Sequence, residues 1–265
     1  MIYRIVRVIF IAFATLVALL LLGLLFLWWS NRDISAAELE RLYGGDGLQY
    51  VNVDGVRLAY RVQGAGPPLV LIHSHFYTMR LWQPWVDALA DDFTVIRYDL
   101  TSHGLTGPDP SGDYSRARGA ALLNGLLDHL DVARAAIAGS STGGGLAWYY
   151  AAHFPQRVDK LILINAAGLP GVTNKYMEME LPAWFGYVLY LLPERLFKAF
   201  LQAPVADKSL ITDDSVREFH LMYRRQGNRM AEFQRMLAWE RGDISDELAD
   251  ITAPTLIMWG RDNPQ

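Results

Sequence analysis

A stretch that reads as a buried strand passes into one that reads as a helix through only five residues, Gly139-Ser140-Ser141-Thr142-Gly143, the last of which opens the helix. Ala135-Ala136-Ile137-Ala138 is a short apolar run, as expected of a strand covered on both faces of a parallel sheet. Gly143 to His153 is rich in small residues, suits a helix packed on that sheet, and is stopped by Phe154-Pro155. Val158 and Leu161-Ile162-Leu163-Ile164 then supply another strand. To reverse from strand to helix in so short a span, the chain must turn sharply about one strained residue. Glycines on either side allow the close backbone approach this needs. The pattern therefore implies an α/β sheet with the Ser141 hydroxyl held at its mouth, at the start of a helix.

The rest of the chain fits an α/β reading. Leu48 to Val53 and Val56 to Val62 alternate apolar and polar residues around Asp54-Gly55, a hairpin signal. Leu69 to Ile72 and Phe93 to Tyr98 read as buried strands, ending at His73-Ser74-His75 and at Asp99. Leu81 to Ala90 and Tyr114 to Leu130 suit helices between them. Strands alternating with helices argue for a mainly parallel sheet with an antiparallel start. Residues 168–250 break the rhythm with aromatic-rich helical segments, Tyr176 to Leu192 and Val216 to Arg241 among them. They read as a helical cap over the carboxyl edge of the sheet, where sites in such folds lie. Pro254 to Gly260 returns to a strand.

Ahead of this domain, Val8 to Trp29 is apolar apart from Thr15. At about 1.5 Å per residue the run covers about 33 Å, against a bilayer core of about 30 Å. Arg4 and Arg7 precede it, Trp28 and Trp29 close it, and Asp33, Glu38 and Glu40 dilute Arg32 beyond it. This flank asymmetry predicts a single-pass anchor spanning residues 1–30, with the N-terminus in the cytoplasm and the domain outside it, in the periplasm if the source is a Gram-negative bacterium. Residues 31–46 then form a linker or short lead-in helix, and the domain runs over 47–265. A cleaved signal peptide is the rival reading, but the run is long for one and no small-x-small site closes it. The net charge of −4 and the lack of a basic run argue against nucleic acid as a partner. The absence of cysteine removes disulfides, thiolate metal sites and a cysteine nucleophile.

Four blocks in this order resemble the α/β-hydrolase fold, and in particular its capped branch of esterases, C–C bond hydrolases and haloperoxidase-like enzymes. They are Leu71 to His75, Asp99 to Thr106 with its Ser102-His103-Gly104 turn, Gly139 to Gly143, and Pro254 to Asp262. The resemblance implies that Ser141 is the nucleophile, and that the backbone N–H groups of Thr142 and His75 form the oxyanion hole. It also puts the acid that orients the catalytic histidine just after Trp259-Gly260, which makes Asp262 the candidate. The family's usual acid position falls on Asn263, and the alternative position after the sixth strand falls on Asn165; neither is a carboxylate. His73-Ser74 stands where the family has His-Gly.

In the family, the histidine base follows the acid and one further strand. His73, His75, His103, His129, His153 and His220 all lie elsewhere. The base is therefore expected to be missing from these 265 residues, along with the final strand and helix, and the chain on its own is expected to have negligible hydrolase activity. The resemblance implies hydrolysis of an ester or related carbonyl substrate of lipophilic character through an acyl-enzyme. Two alternatives stand beside it: C–C bond hydrolysis on the same scaffold, and an inactive membrane-tethered binding protein. No cofactor is implied, and His73 and His75 alone are too few ligands for a metal. Arg224, Arg225 and Arg229 read as a solvated helix face. Trp184, Phe185, Tyr187 and Tyr190 read as packing within the cap, with lining an apolar pocket or touching lipid near the anchor as the alternatives.

Overall fold

The computed structural model describes residues 2–169, 181–238 and 245–263. It opens on α1 (Ile2–Ser30), a helix with no buried core face that is long and apolar enough to cross a membrane. A short strap leads to α2 (Ala36–Tyr43), capped by the Ser35 hydroxyl, which accepts from the Glu38 N–H at 3.2 Å. Leu39 of α2 is fully buried against Ala59, Met79, Leu105 and Met222, so this helix is part of the domain's core.

Among the described residues seven strands form one sheet: β1 (Gln49–Val53), β2 (Val56–Gln63), β3 (Pro68–Ile72), β4 (Thr94–Tyr98), β5 (Ala135–Ser140), β6 (Val158–Ile164) and β7 (Thr255–Met258). Their order is β1-β2-β4-β3-β5-β6-β7, antiparallel as far as β4 and parallel from there on. The predicted hairpin closes at Val53 and Val56, with Asp54 at φ 47° and Gly55 at φ 84°, the pair of positive values that a two-residue turn matched to strand twist requires. The helix predicted from Leu81 begins as a 3₁₀ turn over Met79–Trp82 before α3 (Gln83–Leu89). The helices α4 (Arg116–His129) and α5 (Thr142–His153) cover the sheet, and Leu123, Leu126, Ile137, Trp148 and Leu161 meet between them in its main core.

Between β6 and β7 the described part of the cap includes a 3₁₀ helix (Ala183–Leu191), α6 (Glu194–Gln202), α7 (Asp213–Tyr223) and α8 (Asn228–Leu237), whereas α9 (Ser245–Ala249) packs on α5, with Leu248 against the main core of the sheet. The segment predicted as helical from Val216 to Arg241 is broken at Gly227 (φ 88°), which separates α7 from α8; residues 239–244 lie outside the described set. Part of the predicted helix from Tyr176 also lies outside it, and its described remainder is 3₁₀. The strand β7 forms the sheet edge, with Leu256, Ile257 and Met258 exposed.

Candidate active site

The loops at the carboxyl edge of the sheet are organised by Asp99. Its carboxylate accepts the N–H of Met79 and that of Leu105, both at 2.7 Å. It thereby joins the loop after β3 to the Ser102-His103-Gly104 turn after β4. A Cβ on Gly104 would lie 2.1 Å from the same carboxylate, so that turn needs glycine. His73 is fully buried beside it. Its Nδ1 donates to the Ser74 carbonyl at 2.8 Å and its Nε2 accepts the Leu100 N–H at 3.0 Å. Burial pushes its pKa down to about 4, as this neutral bonding pattern requires.

Ser141 stands at φ 48°, ψ −114°, between the last residue of β5 and the first of α5. Three backbone bonds hold this strained geometry. Its N–H donates to the Ile164 carbonyl at 3.0 Å, and its carbonyl accepts from Gly145 and from Ala167, each at 2.9 Å. The flanking glycines are sterically required. A Cβ on Gly139 would come within 2.2 Å of the Gly143 carbonyl oxygen, and one on Gly143 within 2.3 Å of the Ile72 carbonyl oxygen. The start of α5 is thus pressed against the end of β3. The first N–H groups of a helix have no partner within it, so that of Thr142 faces outward from this start. The His75 N–H, in the adjoining loop, finds no acceptor among the described residues.

The side chain of His75 reaches into the cap. Its Nδ1 is 2.8 Å from Glu232 Oε1 and 3.0 Å from Arg235 Nη2. Arg235 Nε donates to both Glu232 oxygens at 3.1 Å, and the Ser102 hydroxyl donates to Oε2 at 2.9 Å. His103 Nε2 approaches the same oxygen at 3.4 Å and is buried without a hydrogen bond. Burial alone would raise the Glu232 pKa, yet Arg235, His75 and His103 together hold it well below the ordinary carboxylate range. At both histidines burial outweighs the carboxylate and the pKa falls, to about 4 at His103. The cation that balances Glu232 is therefore Arg235. The donor atoms of His75, His103 and Glu232 lie within 4.8 Å of one another, a metal-like spacing, but a guanidinium already neutralises the carboxylate there.

A cavity beside the turn is lined by Thr142, Gly145, Leu146, Leu100, Arg116 and Arg235. Thr142 and His75 are thus joined around one region, directly or through Arg235. Asp262 lies in an exposed turn after β7. That turn is tied to β6 by Asn165 (φ 44°), whose Oδ1 accepts the Gly260 N–H at 2.9 Å. Among the described residues no histidine touches Asp262, and none is hydrogen-bonded to the Ser141 hydroxyl. No motif in the sequence singles out Glu232 and Arg235. The available signal was the polar series Asn228, Arg229, Glu232, Arg235 at helical spacing, which reads as a solvated face yet is buried here. For the same reason Arg229 is buried, and Arg224 and Arg225 half-buried, where a solvated face was expected.

The model of the alpha/beta hydrolase fold family matches residues 67–264. A protein of Mycobacterium tuberculosis described as uncharacterised is 43% identical over 127 residues, 48% of this chain and 37% of that one. The chain thus matches little over a third of that relative's length. The 2-hydroxy-6-oxo-2,4-heptadienoate hydrolase of Pseudomonas putida is 30% identical over 237 residues, 86% of this chain and 80% of that one. Among solved structures, the enol-lactonase from Burkholderia xenovorans superposes with a TM-score of 0.68 at 26% identity, covering 80% of this chain and 81% of that one. With the family model spanning three quarters of the sequence and the strained serine turn in its expected place, this chain belongs to the α/β-hydrolase fold family.

Proposed function

We propose that this protein is a serine hydrolase of an ester or related carbonyl substrate of lipophilic character, tethered to a membrane by α1. The observation that carries the reading is the backbone of Ser141, a non-glycine residue held at φ 48° at the start of a helix. Strain of this kind costs about 1–3 kcal/mol and persists where it aims a side chain. In the proposed reaction Ser141 attacks the carbonyl carbon, and the N–H groups of Thr142 and His75 receive the oxyanion. A histidine base takes the serine proton and returns it to the leaving group. Asp262 is the proposed orienter of that histidine.

The test is labelling of the protein with a fluorophosphonate probe. Labelling that disappears in Ser141→Ala supports the enzyme. Absence of labelling in the parent protein sinks it and leaves the non-catalytic binding protein. The anchor is proposed to leave the N-terminus in the cytoplasm and the domain outside it; alkaline carbonate extraction, together with protease accessibility in spheroplasts, checks both.

A second reading, C–C bond hydrolysis, is favoured by one specific feature. Arg116 lines the cavity beside Thr142, next to an Arg235 that Glu232 already neutralises, and a cation there suits a carboxylate-bearing substrate such as a dienoate. The similarity to the heptadienoate hydrolase points the same way. Turnover of p-nitrophenyl esters compared with that of a vinylogous diketone acid separates the two.

A further inference from the structure

The strap that follows α1 is latched to the cap. The Asn31 carbonyl accepts from Arg229 Nη1 at 2.7 Å, and Arg229 also pairs with Asp33 and lies 4.1 Å from the centre of the Tyr190 ring. The Arg32 carbonyl accepts from Arg224 Nη2 at 2.8 Å. The Ile34 N–H donates to the Arg224 carbonyl at 2.9 Å, and the Gln226 N–H to the Ile34 carbonyl at 2.8 Å. Tyr190 belongs to the 3₁₀ helix Ala183–Leu191, which packs against α1 and against α8. Within Tyr3–Ser30 only Leu27 is partly covered. The contact with the cap is therefore at the last turn of α1, level with Trp28 and Trp29.

Side chains three apart on a 3₁₀ helix eclipse one another. Trp184 and Tyr187 thus share the stripe that ends at Tyr190, and they are 63% and 67% exposed, together with half-exposed Val188. At about 2 Å rise per residue, Tyr187 lies about 6 Å along the helix from the latched Tyr190. On the following helix α6, Leu196 and Phe200 are also exposed, four residues apart on one face, while Phe197 and Leu201 fill the cap core. Trp184 meets the Phe185 ring, but it and Tyr187 leave most of their surface open where packing within the cap is expected, and amphipathic rings of this kind favour the headgroup region of a bilayer.

We propose that the Trp184–Tyr187 edge of the cap rests in the headgroup region of the same membrane that α1 crosses, so that a lipophilic substrate reaches the site from the bilayer. This rests on the anchor reading above. Three observations carry it: the latch fixes the cap at the exit of α1, the aromatic stripe leads away from that latch, and its helix packs on α8, whose Arg235 lines the cavity.

The absence of native cysteine allows a direct test. The full chain carrying Trp184→Cys, Tyr187→Cys or, as control, Asp92→Cys is labelled with the fluorophore NBD and reconstituted into phosphatidylcholine vesicles, with and without brominated acyl chains. Asp92 is exposed and precedes β4, at the end of the sheet away from the cap. The expected result is blue-shifted emission at 184 and 187, quenched at least twofold by the brominated lipid, with neither effect at 92. Chain retained with the vesicles after carbonate washing, yet unquenched at 184 and 187, overturns this proposal alone. Chain that washes off overturns the anchor reading and this proposal with it. Shielding at 184 and 187 that depends on protein density and is indifferent to bromine means that a second copy covers the edge, and also overturns it.

Discussion

Glu232 Oε1 lies 2.8 Å from His75 Nδ1, so a carboxylate of the cap holds the ring of a residue on the loop that follows β3. The His75 backbone N–H is one of the two donors proposed for the oxyanion. The contact therefore couples the placement of the cap to the geometry of the site. Arg235, three residues along α8, neutralises the carboxylate, and Ser102 and His103 close the cluster from the sheet side.

Removing the charge from Glu232 leaves the Arg235 guanidinium buried without a counter-ion. Breaking one side of such a pair costs about 3–5 kcal/mol. Glu232→Gln is expected to fall at the lower end, since the amide keeps the shape and one acceptor. At this chain length that is a Tm decrease of about 6–12 °C, readable by tryptophan fluorescence in detergent micelles.

The buried histidines make the fold acid-labile. His73, His103 and His220 have pKa values lowered to about 4 from 6.5, with burial the main cause in each. Above pH 6.5 these rings are neutral in both folded and unfolded chains and contribute nothing to pH dependence. Between about 6.5 and 4 the unfolded chain binds protons that the folded one does not, so stability falls as the pH falls, by about 2 kcal/mol per group at pH 5. Glu232 adds to the same trend, since its lowered pKa contributes stability that is lost as the pH drops below about 4.5. The urea midpoint is expected to be clearly lower at pH 5 than at pH 7; an unchanged midpoint contradicts the neutral-histidine reading.

The turn at Ser141 separates strain from chemistry. Alanine keeps the unfavourable φ, whereas glycine occupies it freely. Ser141→Gly is therefore expected to be about 1 kcal/mol more stable than Ser141→Ala in denaturant unfolding, with neither labelled by fluorophosphonate. The neighbouring Gly143→Ala should be destabilised by about 3 kcal/mol, because its methyl meets the Ile72 and His73 carbonyl oxygens, backbone atoms that cannot swing aside.

Arg229 controls the strap. Arg229→Met removes the bonds to Asn31 and Asp33 while keeping the apolar length of the side chain. Local opening of the strap should then become easier. Trypsin cleavage after the exposed Arg32 is expected to accelerate several-fold, with the far-UV circular dichroism unchanged. Asp33→Asn should show a smaller acceleration, since the Asn31 bond survives.

Much of the scaffold was readable because local physics dictates it. Asp54-Gly55 is a turn whatever surrounds it, since both residues reach positive φ cheaply. Apolar runs such as Leu69–Ile72 and Leu161–Ile164 must be buried strands, and Gly139 to Gly143 between a strand and a helix has few ways to fold. The apolar length of α1 is likewise a property of sequence alone. The polar stripe of α8 was not readable in this way. Helical spacing shows that Asn228, Arg229, Glu232 and Arg235 share a face, but nothing local says whether that face meets water or the loops of the sheet. Only the docking of the cap brings His75, Ser102 and His103, some 130 to 160 residues earlier in the chain, against Glu232 and Arg235, and Asn31 against Arg229. Burial of these groups is tolerated because each charge meets a partner across that interface, and such complementarity between distant segments exists only once the chain is folded.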